Sequence, residues 1–267
     1  MRLVTLNIHS LQEENMDRKQ KVFVEAMKKM QPDVIALQEV NQLMDEKEEM
    51  APANYHPVTD IPLKKGNHAL AIDRLMKEAG LDYEFSWLPA KVGYGKYDEG
   101  LAIFTKQKME KAGSLLLSRK DDYQDYRTRK ALSLTTQDST FVCVHMGWWN
   151  DEKEPFAPQW AKLEEAMKDK KDVFLLGDFN ADADVKDEGH DLIKASGYTD
   201  LYETAIKKDD GYTVTAAIDG WKDTPQKNRR IDYIFSKQKI VPKEMRTIFN
   251  GVKEEIISDH HGLFVEI

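Results

Sequence analysis

The chain has 267 residues, 41% of them hydrophobic and 32% charged, with a formal net charge of −8. That length suits one large domain or two small ones and is ample for a sizeable core. The acidic balance and the pI near 5.5 argue against broad, non-specific nucleic-acid binding, which runs on Lys and Arg neutralising phosphates.

Strand and helix signals alternate along the chain. Residues 2–8 read as a strand that starts at once, without the longer apolar stretch of a secretory signal. Val22, Phe23, Ala26, Met27 and Met30 have helical spacing, and Pro32 closes that helix. Val34 to Leu37 is a buried strand that ends in Gln38 and Glu39. Leu70, Ile72, Leu75, Met76 and Ala79 form a second helical face, stopped by Gly80. Strands follow near 82–88 and 100–105, and residues 91–99, mixing Gly, Tyr and charge, read as a loop of the kind that often borders a site. Further strands lie near 130–136 and 140–145. Cys143, the single cysteine, sits in the second of these, so packing is its expected role; one cysteine also excludes an internal disulfide framework and fits a reducing compartment. A helix near 156–169 carries Trp160, Leu163, Ala166 and Met167, with Trp160 on its apolar face. After a strand at 173–177 comes a short helix near 188–196, stopped by Gly197, then strands near 231–236, 242–249 and 262–267. No repeat, low-complexity tract or linker is visible, so a single domain over 1–267 is expected, with sheets covered by helices. No segment approaches membrane-spanning length, and a cytoplasmic protein is expected.

Several apolar runs end in residues a core cannot use unpaired. Asn7 ends the first strand and Glu39 the second, while His145 ends Phe141–Val144. Asp178 and Asn180 end the run from Val173 to Leu176, and Asp259 and His260 precede the last strand. Asp232 is embedded between Ile231 and Tyr233; an ion pair with Arg229 or Arg230 is its structural alternative. Phosphate-ester hydrolysis needs this kind of set. Cations and donors must neutralise the phosphate oxygens. A hard cation such as Mg²⁺ takes carboxylate and amide oxygens, for which Glu39 and Asn7 are suited; Mn²⁺ accepts the same ligands. An attacking water needs a carboxylate, for which Asp178 is the candidate. Asn180 offers an amide donor, and His260 beside Asp232 or Asp259 offers a polarised imidazole.

The ordered set Asn7, Gln38-Glu39, His145, Gly177-Asp178-Phe179-Asn180, Asp232-Tyr233 and Ser258-Asp259-His260 resembles the endonuclease/exonuclease/phosphatase superfamily, the DNase I-like group. The matches span residues 7–260. The resemblance implies an α/β fold, a four-layered αββα sandwich of two packed mixed sheets flanked by helices. It also implies roles: Glu39 as principal metal ligand with Asn7 near and Asp259 contributing, and Asp178 orienting the water. Asn180 and His145 would hold the scissile phosphate, and His260 would contact it while held by Asp232. His261-Gly262 stands where many members carry a residue and then proline, and His9 and His261 have no assigned role.

Fold does not give substrate. His145 is followed at once by Met146-Gly147-Trp148-Trp149, then by Phe156 and Gln159-Trp160. This pattern resembles a bacterial branch of the superfamily that includes maltose 6′-phosphate phosphatase. A small phosphorylated carbohydrate is therefore the expected substrate, with Trp148 and Trp149 stacking on sugar rings or else serving as packing anchors. Arg127 and Arg129 would hold an extra anionic group, or stand as surface charges. A DNA endonuclease or exonuclease is the competing reading, disfavoured by the acidity. A non-catalytic module on a degenerate scaffold is a third, disfavoured by intact residues at every matched position. His56, His68 and His190 read as surface or packing residues.

Overall fold

In a computed structural model of the protein, residues 1–216, 218, 221 and 227–267 are described. The elements run β1 (Arg2–Asn7), α1 (Met16–Met30), β2 (Val34–Leu43), α2 (His68–Glu78), β3 (Glu84–Gly93) and β4 (Tyr97–Thr105). Next come β5 (Lys111–Leu116), β6 (Lys130–Thr135), β7 (Thr140–His145), α3 (Phe156–Met167), β8 (Val173–Asp178) and α4 (Gly189–Ala195). The chain closes with β9 (Thr199–Asp200), α5 (Leu201–Thr204), β10 (Lys207–Lys208), β11 (Asp232–Ser236), β12 (Glu244–Ile248) and β13 (Gly262–Glu266).

The strands form two mixed sheets. Seven lie in the order β10-β12-β13-β1-β2-β4-β3, and six in the order β5-β6-β7-β8-β11-β9. Within them β1 pairs β2, and β7 pairs β8, in parallel, and most other neighbours are antiparallel. Side-chain alternation along each strand explains the layering. On β1 and β2, Leu3, Val34 and Ala36 enter the core between the sheets, where they join Leu132, Phe141, Cys143, Phe174, Leu176 and Ile234. The alternate residues Val4, Leu6, Ile35 and Leu37 face outward onto Phe23 and Met27 of α1 and Ile72 and Met76 of α2. Across the molecule, Val142, Val173 and Leu175 face Phe156, Trp160 and Leu163 of α3 and Ile193 of α4. Strands buried on both faces read as continuous apolar runs, which is how they stand in the sequence. The result is the expected four-layered αββα sandwich.

Two departures matter for the site. Residues 91–99 are not a loop: β3 and β4 form a long hairpin through them, with Lys91 opposite Glu99. Their charges suggest a solvated segment, yet Lys91 Nζ lies 3.1 Å from Glu99 in a buried ion pair that lets both occupy strands. Strand β2 also runs past Glu39 to Leu43, because a bulge between Leu37 and Val40 absorbs the interruption. The edge strand β5 carries too little apolar pattern to have been anticipated: Lys111 and Ser114 are exposed, and its other four residues are only half-buried.

Candidate active site

The same alternation that builds the inner core delivers the polar residues. Leu3 and Thr5 are followed by Asn7, Phe141 and Cys143 by His145, and Phe174 and Leu176 by Asp178. Each lies two residues beyond an inward-facing one, so each faces inward at its strand's end. Register brings them together: Asn7 pairs Gln38, His145 pairs Asp178, and Asp178 pairs Asp232. Glu39 would face the helix layer by parity. Its positive φ of 56° at the bulge redirects it, and Asn7 Nδ2 donates to Glu39 Oε1 at 2.9 Å. Gly177 is required on β8. Its φ is 147°, and a Cβ there would collide with the Val144 carbonyl oxygen on the neighbouring strand.

Asp178 is the hub. Its Oδ1 accepts from the Asn180 backbone N–H at 2.8 Å and its Oδ2 from Asn7 Nδ2 at 3.2 Å. His145 Nε2 lies 3.5 Å and His260 Nε2 3.9 Å from the same Oδ2. Burial, and then the neighbouring Asp232, raise the Asp178 carboxyl to about 7. Burial alone would lower His260, but Asp232, 2.9 Å from its Nδ1, outweighs that and lifts it to about 10. Burial, with Arg129 and Lys91 adding repulsion, holds His145 well below the usual histidine range. The site thus sets a neutral and a cationic imidazole around one carboxyl that titrates near neutrality.

Asn180 has φ 48°, donates Nδ2 to the Met146 carbonyl at 3.0 Å, and accepts from Trp221 Nε1 at 3.2 Å. One amide hydrogen therefore remains for another acceptor. Ser258 Oγ donates to the Asn7 carbonyl at 2.7 Å, fastening the Asp259-His260 segment to β1. His261 N–H donates to the Thr213 carbonyl at 2.7 Å and its Nδ1 lies 3.2 Å from the Tyr212 carbonyl, so it tethers a loop. His9 lines the pocket, its Nδ1 2.7 Å from Glu13. The pairing of Asp232 with His260 leaves Arg229 to Asp182 at 2.9 Å and Arg230 to Asp200 at 2.5 Å. His190 packs where expected, buried against Tyr233 and bonded to Asp200 at 3.0 Å.

Asp178, Asn180, His145, His260 and His9 line a cavity of about 270 Å³ with Glu39, Lys91, Tyr94, Glu99, Tyr126, Arg129, Trp148, Ile218 and Asp259 on its walls. Burial, and then Glu99 and Asp259, push the Glu39 carboxyl up. A carboxylate crowded by two others fits a hard divalent cation, with Glu39 and Asp259 as oxygen donors. Asn7 presents its NH₂ to Glu39 and Asp178, while its Oδ1 accepts from the His9 N–H at 3.2 Å, so as oriented it ties the two carboxylates together. Among the described residues, His9, Glu13 and Asp259 and, separately, Asp178, Asp232 and His260 bring ligand-type atoms within 4.8 Å of one another. In the second group, the Asp232–His260 hydrogen bond favours a protonated imidazole, which opposes direct metal ligation.

The two tryptophans part company. Trp148 lines the cavity, whereas Trp149 packs on Phe156 with ring centroids 6.0 Å apart. The two arginines part likewise. Arg127 is held by Asp151 at 3.1 Å and Asp125 at 3.5 Å, while Arg129 is buried in the cavity wall. Residues 91–99 border the site as expected, with Lys91, Tyr94 and Glu99 on the cavity wall, although the sequence assigned these three no role; Tyr126 and Trp221 escaped sequence reasoning.

A sandwich of this topology, with carboxylates, amides and histidines gathered at one end of its two sheets, defines a phosphoester hydrolase. The profile of the Endonuclease/Exonuclease/phosphatase family matches residues 4–260, and the chain belongs to that family. Among solved structures, an endonuclease/exonuclease/phosphatase family protein from Leptotrichia buccalis C-1013-b is 31% identical, with a TM-score of 0.88 over 100% of this chain and 99% of that one. A mannosyl-6-phosphatase from Bacteroides thetaiotaomicron VPI-5482 is 18% identical, with a TM-score of 0.65 over 100% and 98%. A 3′-5′ exonuclease from Neisseria meningitidis is 20% identical, with a TM-score of 0.64 over 100% and 99%. The last two likenesses speak to the fold alone. No curated protein sequence matches the chain.

Proposed function

We propose that this protein is a Mg²⁺-dependent phosphomonoesterase that releases phosphate from a small phosphorylated sugar, a disaccharide phosphate of the maltose 6′-phosphate kind. The observation that carries this reading is the cavity itself: about 270 Å³, with Asp178, His145 and His260 on its walls beside the aromatic Trp148, Tyr94 and Tyr126. That size lies near the low end for small-molecule sites. The mannosyl-6-phosphatase shows that this fold can carry such a reaction, and the net charge of −8 disfavours a long anionic polymer.

In this reading Glu39 and Asp259, with Asn7 beside them, hold the cation; Mn²⁺ is the natural substitute. A bound divalent ion would neutralise phosphate oxygens and the departing alkoxide. Asp178 takes the proton of the attacking water, for which a carboxyl near 7 is a well-matched base. Cationic His260, kept so by Asp232, donates to a phosphate oxygen. Neutral His145 and the remaining Asn180 amide hydrogen add two further donors. Trp148 offers a face for a sugar ring, a role Trp149 does not share. The whole chain acts as one domain, in the cytoplasm. No helix among the described residues is long and apolar enough to cross a membrane.

The test is phosphate release with Mg²⁺, with and without EDTA, across phosphorylated mono- and disaccharides, beside nicked and abasic duplex DNA. EDTA-sensitive release from a sugar phosphate with intact DNA is expected. DNA cleavage with no sugar-phosphate turnover would sink the sugar reading and leave the metal-site assignment standing.

A further inference from the structure

Most cations around the cavity have a counter-charge close by. Lys91 is paired with Glu99 and His260 with Asp232, while Arg127, outside it, is held by Asp151 and Asp125. Arg129 differs. It is 3% exposed, and among the described residues no carboxylate reaches it at ion-pair distance; Glu99, Asp178, Glu39 and Asp151 act on it from further off. Its Nε has no hydrogen-bond acceptor, and neither has Nε1 of Trp148, whose ring lies 5.3 Å from the guanidinium carbon. Both residues line the cavity that holds Asp178, His145 and His260.

The position of Arg129 is built. Its backbone N–H donates to Ser118 Oγ at 2.7 Å, and its carbonyl accepts from the N–H of Leu117 at 2.9 Å and of Ser118 at 3.2 Å. The aromatic ring of Trp148 then supports the guanidinium plane. A buried guanidinium without an ion-pair partner is costly to the fold, and among the described residues only the Trp148 ring and more distant carboxylates offset it. The arrangement makes sense when an anion enters the cavity and completes the pair.

We propose that Arg129 binds the non-bridging oxygens of a dianionic phosphate monoester and so sets a preference for monoesters over diesters. The proposal rests on the phosphomonoesterase reading above. A monoester near neutral pH carries close to two negative charges, since its second pKa is about 6. A diester carries one charge and has lost one free oxygen to a second alcohol. Asp232 lies 2.9 Å from His260 Nδ1 and Glu99 3.1 Å from Lys91 Nζ, so both of these groups already have a counter-charge. Beside any bound divalent ion, Arg129 is the cation left to meet the second charge and the extra free oxygen of a monoester, and a planar guanidinium fork binds two phosphate oxygens at once.

The experiment compares wild type, Arg129→Gln and Arg129→Lys with Mg²⁺ present, using p-nitrophenyl phosphate as monoester and bis-p-nitrophenyl phosphate as diester. Inorganic phosphate is also titrated calorimetrically into each protein. In Arg129→Gln, kcat/KM for the monoester is expected to fall about 10²- to 10³-fold. The diester loss is expected to be at least about tenfold smaller, and phosphate binding to weaken about tenfold or more. Arg129→Lys keeps the charge without the fork and should recover part of the monoester rate; it also replaces Arg129→Gln in the comparison if that variant misfolds by circular dichroism. Equal losses on the two esters overturn the proposal, as does unchanged phosphate affinity. A wild type that turns over the diester alone overturns the phosphomonoesterase reading; phosphate binding by Arg129 then stands if the Gln variant weakens the titration, and falls if it does not.

Discussion

At the scale of single residues, the chemistry turns on three groups within 4 Å of one carboxylate oxygen. Asn7, His145 and His260 approach Asp178 Oδ2 at 3.2, 3.5 and 3.9 Å. A general base must be deprotonated to act, and burial with Asp232 raises Asp178 to about 7. His260 must stay protonated to donate, and Asp232 keeps it so up to about 10. The pH profile of kcat/KM should therefore rise through about 7 and fall near 10, the limbs belonging to the coupled set, with bound cation drawing the acid limb downward. Asp232→Asn removes the charge that holds the imidazolium, so the alkaline limb should move down toward the ordinary histidine range. An unmoved limb in that variant would assign it to another group, Lys91 being the next to test. Asp178→Asn should keep the fold and lower turnover by about 10²- to 10⁴-fold; undiminished phosphate release would remove Asp178 from the water-activating role.

At the scale of elements, two local distortions shape the site. The bulge at Glu39 turns one side chain from the helix layer into the cavity. Gly177 lets β8 lie against β7 where any side chain would meet the Val144 carbonyl. Gly177→Ala should thus cost about 3 kcal/mol or more, read from the midpoint of urea unfolding, because both φ and contact oppose it. A third element property is a pH dependence of stability. His68 begins α2, is fully buried, and lies with Nδ1 2.6 Å from Ser10 Oγ and, among the described residues, Nε2 without a partner. Burial lowers it to about 4. Its unfolded value near 6.5 is higher, so the unfolded chain binds the extra proton first. The stability it contributes is present above pH 6.5 and is lost as pH falls toward 4, by at most about 3 kcal/mol. His68→Leu should flatten unfolding free energy between those limits; an unchanged slope would place the acid sensitivity elsewhere.

At the scale of the whole molecule, the two sheets meet so that their carboxyl-rich ends share one cavity. Glu39 comes from the seven-stranded sheet and Asp178 and Asp232 from the six-stranded one. A cation bound to Glu39 and Asp259 would stabilise only the folded chain, by about 2.7 kcal/mol at a hundredfold excess over Kd. For a chain of this size that corresponds to a rise in Tm of about 5–10 °C. Mg²⁺ should therefore raise Tm relative to EDTA, and Glu39→Gln should abolish the rise. A shift of the same size in both proteins would move the metal away from Glu39.

Much of this was legible in the chain. Asn7, Glu39, His145, Asp178 and Asp232 stand at the ends of, or within, apolar runs, and a polar residue in such a place advertises itself because burial without partners is costly. The strands declared themselves for the same reason: two-sided burial writes continuous hydrophobic sequence. What stayed hidden depended on partners far along the chain. Lys91 and Glu99 read as loop charges until pairing across β3 and β4 neutralised them. Arg127 and Arg129 look alike in sequence, yet Asp151 claims the first and leaves the second in the cavity. Trp148 and Trp149 look alike in sequence too, yet Phe156 takes Trp149 while Trp148 meets Arg129 at the cavity wall. Local sequence determined which segments are strands and helices and which polar residues gather at the sheet ends, since periodicity and burial act along the chain. Tertiary structure alone decided which charges are spent and which remain for a substrate, because a charge is satisfied by whatever the fold brings within a few ångströms of it.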